Sequence, residues 1–418
     1  MARWARERPD QPAVDGLTYA ELDEAASRTA RRLAALGVGE GGRVATTLPA
    51  GAEFAALLHA VPRLGASVVP LGPVRSLDAS LVIDRPLDGS EKDVELRVEL
   101  DPLAVHSVIL TSGTTGASKE VKLTLANHAA SAIASAWNLG VAPDDRWLCP
   151  LPLFHVGGLA VLMRSALYGT AALLHDGFDV ERVKESLESG EATLVSLVPT
   201  MLRRLRDAGL ERAPALRAAL LGGGPVPLEL LEWARECGLP IRATYGMTET
   251  ASQVATAAPW ESAAAPLPGV QLRVSEEGEI LLRGPMVARG ALADDGWLHT
   301  GDLGELDESG LLTVHGRSKE LIVTGGENVA PAEVEAALVA HPAVVDAAVV
   351  GVSDEEWGEA VTAFVVLRDG SEEPDLAAWC RERLAPFKVP KRFAVLDELP
   401  RNPAGKVLKH QLGEPNRR

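Results

Sequence analysis

The chain has 418 residues, of which 46% are hydrophobic and 24% charged, and these values are typical of a soluble globular protein with two or three domains. Its formal net charge of −17 argues against a nucleic-acid-binding protein, and its three scattered cysteines suggest neither a disulfide framework nor a zinc site. The N-terminus lacks the apolar segment of a signal peptide, and no apolar run reaches the ~18 residues of a membrane span, so we expect a cytoplasmic protein without stable membrane insertion.

The first hundred residues predict a βαβ-like alternation. Thr18 and Glu21 have capping-box spacing and open a helix that we expect to end near Leu36. Residues 37–42 match G-x-G-x-x-G, but they follow a helix and lead into a strand at 44–48, which is the wrong context for a dinucleotide site. A helix at 52–64 and a strand at 67–71 follow, whereas residues 72–101 give no firm assignment.

The stretch from Thr111 to Lys119 follows a predicted strand at 105–110 and is rich in glycine and hydroxyl groups. Glycines let backbone N–H groups turn toward a ligand, and hydroxyls and a lysine add donors and one positive charge. Such a loop suits a polyphosphate, although its spacing is not that of the Walker phosphate loop. Taken alone, a plain solvent-exposed turn explains the stretch about as well.

Helices and strands alternate after this loop, which predicts parallel sheets covered by helices on both faces. Predicted helices cover residues 127–139, 158–168, 180–189, 200–208 and 227–237, and predicted strands cover 171–174, 192–197, 218–221 and 241–244. Short strands at 271–274, 279–283 and 311–315 replace this pattern after Gly269. The last block alternates on a smaller scale, with strands at 347–352 and 362–367 and a helix at 376–384.

We therefore predict an α/β fold with two domains. Residues 1–316 would form a large N-terminal domain of helix-covered, mostly parallel sheets, with a small β-rich part at about 269–316. Residues 317–418 would form a small, mobile α+β C-terminal domain.

Four further stretches are too polar or too rich in glycine for their surroundings: 150–158; 221–225 with 244–250; 299–302 with 316–319; and 400–406. Together with 111–119, and in this order, they resemble the adenylate-forming enzymes. That family includes acyl-CoA ligases, firefly luciferase and the adenylation domains of peptide synthetases. The resemblance covers about residues 17–412, and five ordered motifs are far more specific than any one of them.

The resemblance implies a two-step reaction. In this family a carboxylate attacks the α-phosphate of ATP and releases pyrophosphate, and a thiol, usually coenzyme A, then displaces AMP from the acyl-adenylate. An acid–thiol ligase of this kind uses ATP, Mg²⁺ and coenzyme A. Its expected partners are these molecules and a small carboxylic acid, with no nucleic acid, and a homodimer is left open.

The resemblance also implies roles for the matching residues. Residues expected to hold pyrophosphate are Thr111, Ser112, Gly113, Thr114, Thr115, Gly116 and Lys119. Those expected around adenine and ribose are Gly222, Gly223, Gly224, Tyr245, Gly246, Asp302 and Arg317. The expected catalytic residues are Lys406, which would bridge the acyl carboxylate and the α-phosphate, Thr248, His155 and Glu249, which would also hold Mg²⁺.

In the family, the small domain rotates between the two half-reactions about a hinge residue, which is matched here by Lys319. Gly325 and Gly326 lie in a loop that resembles the segment facing the thiol tunnel. Two features depart from the family pattern. Glu120 replaces a glycine after Lys119, so an active enzyme should turn it outward or pair it with Lys122 or another base. The short span between residues 71 and 105 implies a trimmed N-terminal subdomain.

Within the family, residues 152–165 and 246–253 look most like the o-succinylbenzoate–CoA ligases of menaquinone biosynthesis. That substrate carries one carboxylate to be activated and a second, aromatic carboxylate. Arg164, with Ser252 and Gln253, could serve the second carboxylate or the keto group, unless Arg164 simply faces solvent from its helix. Three alternatives stay open: another aryl- or medium-chain acyl-CoA ligase, a stand-alone adenylation enzyme loading a carrier protein, and a nucleotide-binding regulator without activity.

Overall fold

The computed structural model describes residues 1–72, 79, 81–112, 118–368, 374–401 and 407–413. Contacts divide the chain into two compact units. The first comprises Met1–Val226, Leu230–Gln271 and Leu282–Leu298, and the second comprises Pro227–Glu229, Leu272–Leu281 and His299–Arg418. Within the described ranges, no helix is both long enough and apolar enough to cross a membrane.

The helices that begin after Thr18, Thr124 and Asp179 are opened by side-chain caps. Thr18 Oγ1 accepts a hydrogen bond from the Glu21 backbone N–H at 3.3 Å, and the Glu21 carboxylate accepts one from the Thr18 N–H at 2.8 Å, so the predicted capping box is confirmed. The helices before residue 240 are α1 Ala2–Glu7, α2 Tyr19–Ala35, α3 Ala52–Ala60, α4 Leu125–Leu139, α5 Val156–Tyr168, α6 Val180–Glu188, α7 Pro199–Asp207 and α8 Leu228–Glu236.

The strands of the first unit form two sheets. They are β1 Pro12–Val14, β2 Leu17–Thr18, β3 Arg43–Thr46, β4 Ser67–Pro70, β5 Leu81–Ile83, β6 Val105–Ser112, β7 Ser118–Thr124, β8 Arg146–Cys149, β9 Ala171–Leu174, β10 Leu194–Leu197, β11 Ala218–Leu221, β12 Ile241–Met247, β13 Ser252–Ala257 and β14 Ala264–Pro266. One sheet has the order β14-β13-β12-β11-β10-β8-β9-β1-β2, and the other has the order β5-β3-β4-β6-β7.

Parallel pairing dominates both sheets. In the larger sheet, β9, β8, β10, β11 and β12 run parallel in turn, and only its two ends are antiparallel. In the smaller sheet, β5, β3, β4 and β6 are parallel and β7 returns antiparallel. The predicted α/β fold of helix-covered, mostly parallel sheets is therefore confirmed.

The second unit contains mostly antiparallel strands. They are β15 Gln271–Val274, β16 Glu279–Arg283, β17 Leu298–Leu306, β18 Leu312–Arg317, β19 Ile322–Thr324, β20 Glu327–Val329, β21 Val344–Asp354, β22 Gly358–Leu367 and β23 Arg392–Val395. Its C-terminal sheet has the order β20-β19-β22-β21, with β23 beside β22, and two helices accompany it, α9 Pro331–Val339 and α10 Leu376–Arg381. The smaller C-terminal α+β part agrees with the prediction, whereas a domain boundary at residue 316 stays a prediction.

Candidate active site

The two strands that flank the predicted phosphate loop are antiparallel neighbours. Thr111 of β6 pairs with Lys119 of β7, and Ser112 pairs with Ser118. The Thr111 hydroxyl donates to the Lys119 carbonyl at 3.2 Å. This hairpin brings the first and last predicted pyrophosphate ligands side by side. The ligands between them, Gly113, Thr114, Thr115 and Gly116, lie outside the described residues.

Glu120, the unusual residue after Lys119, forms an ion pair. Its carboxylate lies 2.7 Å from the guanidinium of Arg43 at the start of β3. Successive side chains of a strand point to opposite faces of the sheet, so Glu120 lies on the face away from Lys119. The base that pairs with the glutamate is therefore Arg43 and not Lys122, and the pairing neutralises the carboxylate.

The predicted adenine motif contains a β-bulge between β12 and β13. Tyr245 pairs with Ala255, but the next residue, Gly246, pairs with Gln253. A Cβ on Gly246 would lie 2.1 Å from the Ser252 carbonyl oxygen, so only glycine fits at this position. The motif begins inside β12 and not after it, because antiparallel pairing with β13 prolongs that strand to Met247.

The turn after β12 carries Thr248 and Glu249 in a 3₁₀-helix, Thr248–Thr250. Two residues that follow it, Ala251 and Ser252, have φ angles of 52° and 120°. Non-glycine residues in this region cost on the order of 1–3 kcal/mol each, so the turn must be held by its surroundings.

Hydrogen bonds hold that strained turn. The buried Thr250 hydroxyl donates to the Ser252 carbonyl at 2.7 Å and accepts from the Met247 N–H at 3.1 Å. The Ser131 hydroxyl of α4 donates to the Ala251 carbonyl at 3.0 Å. The roles of Thr250 and Ser131 could not be predicted from the sequence, because they depend on the backbone conformation of this turn.

Glu249 and the phosphate hairpin lie in the same unit, and β7 contacts the Thr248–Thr250 turn. Among the described residues, no group of three or more His, Cys, Asp or Glu side chains could hold a metal ion. A Mg²⁺ ion commonly takes one or two protein carboxylates and completes its octahedron with phosphate oxygens and water. The half-buried carboxylate of Glu249 fits that requirement.

Gly222, Gly223 and Gly224 follow the end of β11, as predicted. A Cβ on Gly222 would lie 2.7 Å from the Thr244 hydroxyl of β12, and Gly223 has a φ of 83°. The turn therefore needs small residues for close approach and for its left-handed backbone.

The predicted ribose pair is formed in the second unit. Asp302 of β17 pairs directly with Arg317 of β18, and the arginine Nε lies 2.9 Å from the Asp302 carboxylate. Asp302 is buried, whereas half of the Arg317 side chain is exposed. The Asp302 backbone N–H donates to the Thr300 hydroxyl at 3.0 Å, which fixes the strand at this point.

Arg164, on α5, is 2% exposed, so the alternative that it faces solvent is wrong. Its Nε and Nη2 atoms have no hydrogen-bond partner within the described part of the chain. Burial lowers the pKa of Arg164, an effect that nearby Tyr168 opposes, but a guanidinium stays charged at neutral pH. The site therefore contains a buried positive charge whose donors are not fully used.

Gln253, on β13, is 3% exposed, and neither atom of its side-chain amide has a hydrogen-bond partner in the described ranges. The strand that carries Gln253 and Ser252 contacts α5, the helix that carries Arg164. Buried polar groups without partners are rare in folded proteins, because desolvation costs are then not repaid by hydrogen bonds. Both residues are therefore suited to a polar ligand.

Two buried histidines, His128 near Arg164 and its neighbour His106, have lowered pKa values. Burial lowers the pKa of His106 to about 4, and burial, His106 and Arg164 together hold the pKa of His128 well below its usual value. The Ser107 hydroxyl and His128 Nε2 are 2.8 Å apart. At neutral pH, Arg164 therefore carries the positive charge of this group.

His155 is the residue that precedes α5. Its ring lies against Phe154 with 4.5 Å between the ring centres. A Cβ on Gly158 would lie 2.5 Å from the Pro152 carbonyl oxygen, so glycine allows the chain before the helix to pack on its first turn. The helix that positions Arg164 begins directly after His155.

The remaining predicted residues belong to the second unit. Lys319 is exposed in the 3₁₀-helix Ser318–Glu320. Gly325 and Gly326 form the turn between β19 and β20, with φ angles of 58° and 86°, as two-residue hairpins of this type require. Lys406 lies outside the described residues.

An aromatic–cation pair, Trp357 with Lys391, lies beside the Gly325 turn and was not predicted from the sequence. The Gly325 N–H donates to the Trp357 carbonyl at 2.8 Å, and a Cβ on this glycine would lie 3.1 Å from the Trp357 ring. The Lys391 ammonium is 4.6 Å from the centre of that ring. The pairing of β19 with β22 brings Gly325 near Trp357, and Lys391 directly precedes β23, which pairs with β22.

Comparisons with known proteins identify the family of this chain. The model of the AMP-binding enzyme family matches residues 1–81 and 74–292, and the model of the AMP-binding enzyme C-terminal domain matches residues 333–406. A 2-succinylbenzoate–CoA ligase of Geobacillus kaustophilus is 43% identical over a gapped alignment of 477 residues, and the match covers 99% of this chain and 97% of the relative. The enzyme of the same name from Bacillus subtilis is 38% identical, and the match covers 95% of this chain and 92% of the relative.

Solved structures give the same result. The o-succinylbenzoate CoA synthetase from Bacillus subtilis in complex with the acyl-adenylate intermediate OSB-AMP has a TM-score of 0.92 at 37% identity, and covers 99% of this chain and 97% of its own. The same enzyme in complex with ATP and magnesium ion has a TM-score of 0.89 at 37% identity, with 98% of both chains covered. Family models and full-length relatives thus lead to one conclusion: this chain belongs to the AMP-binding enzyme family.

Proposed function

We propose that this protein is an ATP-dependent ligase that joins o-succinylbenzoate to coenzyme A through an acyl-adenylate, as a step of menaquinone biosynthesis. The observation that carries the proposal is Arg164, a buried cation with unused donors on the helix that follows His155. The full-length relatives named for this reaction support it independently. ATP, Mg²⁺ and coenzyme A are the corresponding co-substrates and cofactor.

The adenylation step needs donors that stabilise charge on the phosphoryl oxygens. We assign pyrophosphate binding to the hairpin that ends on Thr111 and Lys119, with the loop residues 112–116 between them. Glu249 would hold Mg²⁺, which screens the phosphate charge when bound, and Thr248 would contact phosphate. Lys406 would bridge the acyl carboxylate and the α-phosphate, and so bring the nucleophile to the reacting phosphorus.

We propose separate contacts for the adenine base and for the ribose. We assign adenine to Tyr245 and Gly246 together with the glycine turn 222–224, as the resemblance of these motifs implies. Asp302 would accept hydrogen bonds from the ribose hydroxyls, and Arg317 would keep that carboxylate charged and oriented. His155 would close the acyl end of the site as the residue that starts α5.

The second carboxylate of the substrate explains why an arginine is buried in the acyl region. An unpaired charge in the protein interior costs several kcal/mol, and pairing with a ligand carboxylate offsets part of this cost. Gln253 and Ser252 would add neutral donors for the carboxylate or the keto group. A ligase for plain aryl or medium-chain acids needs an apolar pocket instead, so Arg164 argues against that alternative.

For the second half-reaction we propose that the C-terminal part of the chain rotates about Lys319 and presents the Gly325–Gly326 turn to coenzyme A. The regulator alternative loses its main support, since Glu120 is paired with Arg43. An adenylation enzyme that loads a carrier protein remains a second candidate and differs in its thiol. A cytoplasmic location, a homodimer and the lack of a nucleic-acid partner remain predictions.

A pyrophosphate-release assay with a panel of acids tests the proposal. We expect release with o-succinylbenzoate, weaker release with 4-oxo-4-phenylbutanoate, which lacks the aromatic carboxylate, and thioester formation only when coenzyme A is present. Activation of other acids with no response to o-succinylbenzoate would contradict the substrate assignment. Adenylate formation without thioester formation on coenzyme A would favour the carrier-protein alternative.

A further inference from the structure

Trp147 of β8 lies beside Arg164 in the interior of the first unit. The guanidinium carbon of Arg164 is 5.4 Å from the centre of the Trp147 ring, within the ~6 Å at which an aromatic face attracts a cation. Each of the two residues is 2% exposed, so water does not screen the contact. We propose that Trp147 is a positioning residue for substrate choice, which holds the Arg164 guanidinium toward the second carboxylate of the acid. This inference rests on the proposed function.

The indole ring is itself fixed by a hydrogen bond. Trp147 Nε1 donates to the Ser196 hydroxyl at 3.0 Å, and both groups are buried. These residues stand on β8 and β10, which are parallel neighbours in the larger sheet. The Trp147 ring is thus held both by the β8 backbone that carries it and by the hydrogen bond from Nε1 at the edge of the ring. A cation resting on a fixed ring has fewer accessible orientations than one in a purely aliphatic pocket.

An aromatic partner suits this task better than a carboxylate would. An aspartate or glutamate beside Arg164 would occupy its donors and cancel its charge, and the acid would then have to displace it. A ring attracts the cation through its face and leaves the N–H donors in the guanidinium plane unoccupied. Arg164 Nε and Nη2 do lack hydrogen-bond partners in the described ranges, as this arrangement requires.

The simpler explanation is that Trp147 only fills the core, since it is among the largest fully buried side chains of the chain. The two explanations differ in what they predict for two acids. A core-filling side chain supports the whole site, so its loss would affect acids with one or two carboxylates alike. A positioning residue for Arg164 matters only for the acid whose second carboxylate the arginine binds.

The test compares KM and kcat for o-succinylbenzoate and for 4-oxo-4-phenylbutanoate in three variants at Trp147. Trp147→Leu and Trp147→Met, which lack a ring, should raise KM for o-succinylbenzoate by about tenfold, the scale of a desolvated cation–π contact, and change kcat little. KM for the monocarboxylate should stay nearly constant. Trp147→Phe keeps a ring and should retain most of the discrimination. Trp233→Leu, in the separate core cluster of α8, is the matched control and should not alter the ratio of the two KM values.

The outcomes separate this inference from the proposed function. If the wild-type enzyme does not prefer o-succinylbenzoate, the proposed function fails before any variant is made. If it does, and the Leu and Met variants raise both KM values equally, the positioning role of Trp147 is overturned and the proposed function stands. Thermal unfolding of each variant identifies loss of fold, and the Phe and Met variants keep the test decisive if the Leu variant does not fold.

Discussion

In the first unit, the turns that we propose to bind the nucleotide and the region that we propose to bind the acid are built in opposite ways. Around the turns, polar groups are paired within the protein: Thr250 binds the strained backbone of its own turn, and Glu120 binds Arg43. In the acyl region, Arg164 and Gln253 are buried with polar atoms that no described residue satisfies. We therefore propose that the nucleotide meets a preformed surface, whereas the acid completes a set of interactions that the protein leaves incomplete.

This contrast gives a rule for mutations. Changes on the nucleotide side should affect every acid to the same extent, because all acids share the adenylation step. Changes on the acyl side should depend on whether the acid carries a second carboxylate.

The largest effect is expected for Lys406→Ala. Loss of a charged donor at the reacting centre should slow adenylate formation on the order of 100-fold or more, equally for both acids. Thioester formation from a supplied acyl-adenylate should be much less affected, which single-turnover assays of each half-reaction can measure. Lys409→Ala is a nearby control, because Lys409 pairs with Glu335 at 2.8 Å and should lack this selectivity. Equal loss in both half-reactions would contradict the role of Lys406.

Arg164→Ala and, separately, Gln253→Ala should weaken turnover of o-succinylbenzoate by ~10- to 100-fold, the scale of a lost charge-assisted hydrogen bond. Turnover of 4-oxo-4-phenylbutanoate should fall much less. The comparison of kcat/KM for the two acids is the readout. A similar loss with both acids would place these residues in general structure and would break the contrast between the two regions.

Lys319→Pro tests the hinge. Proline fixes φ and should hinder rotation of the C-terminal part, so transfer to coenzyme A should slow several-fold while adenylation continues. Lys319→Ala, which removes the charge but not the rotation, is the control. If the proline variant transferred its acyl group at the wild-type rate, residue 319 would not be the hinge.

The smallest effect is expected for Glu120→Gly. The pair with Arg43 is about a third exposed on each side, and such pairs contribute at most ~1 kcal/mol, so KM for ATP should change by less than about fivefold. Arg43→Ala should have a similarly small effect with either acid. A tenfold or greater gain in ATP affinity would mean that the glutamate faces the nucleotide, and would revive the regulator hypothesis.

The sequence predicted the fold class because its periodicity is strong where parallel strands are buried, as at Ala171–Leu174 and Ala218–Leu221, both predicted with their observed bounds. It also predicted the glycine turns, because glycine is required wherever the backbone is left-handed or crowded. It missed β8, whose partners β9 and β10 follow only after intervening helices, and β13, which pairs with β12 across the Thr248–Thr250 turn. The strand propensity of such short segments depends on their pairing partners, which local patterns do not report.

Some polar features of the candidate site could likewise be predicted from the sequence, and others could not. The ion pair of Asp302 and Arg317 could be anticipated, because both residues stand in family motifs and face each other across a hairpin. The pairing of Glu120 with Arg43 could not, because it joins strands separated by 77 residues. The sequence also left open whether Arg164 is buried, since basic residues on helices are exposed in most proteins. Tertiary packing decided each of these cases.

Equilibrium binding of two stable acyl-adenylate analogues tests the central claim most directly. Both would be acyl-sulfamoyladenosines, one built on o-succinylbenzoate and one lacking its aromatic carboxylate. We expect the wild-type protein to bind the dicarboxylate analogue ~10- to 100-fold more tightly than the other analogue. Arg164→Ala should remove this difference without weakening the binding of the analogue that lacks the aromatic carboxylate. Equal affinities in the wild-type protein, or a difference that survives in Arg164→Ala, would contradict the central claim.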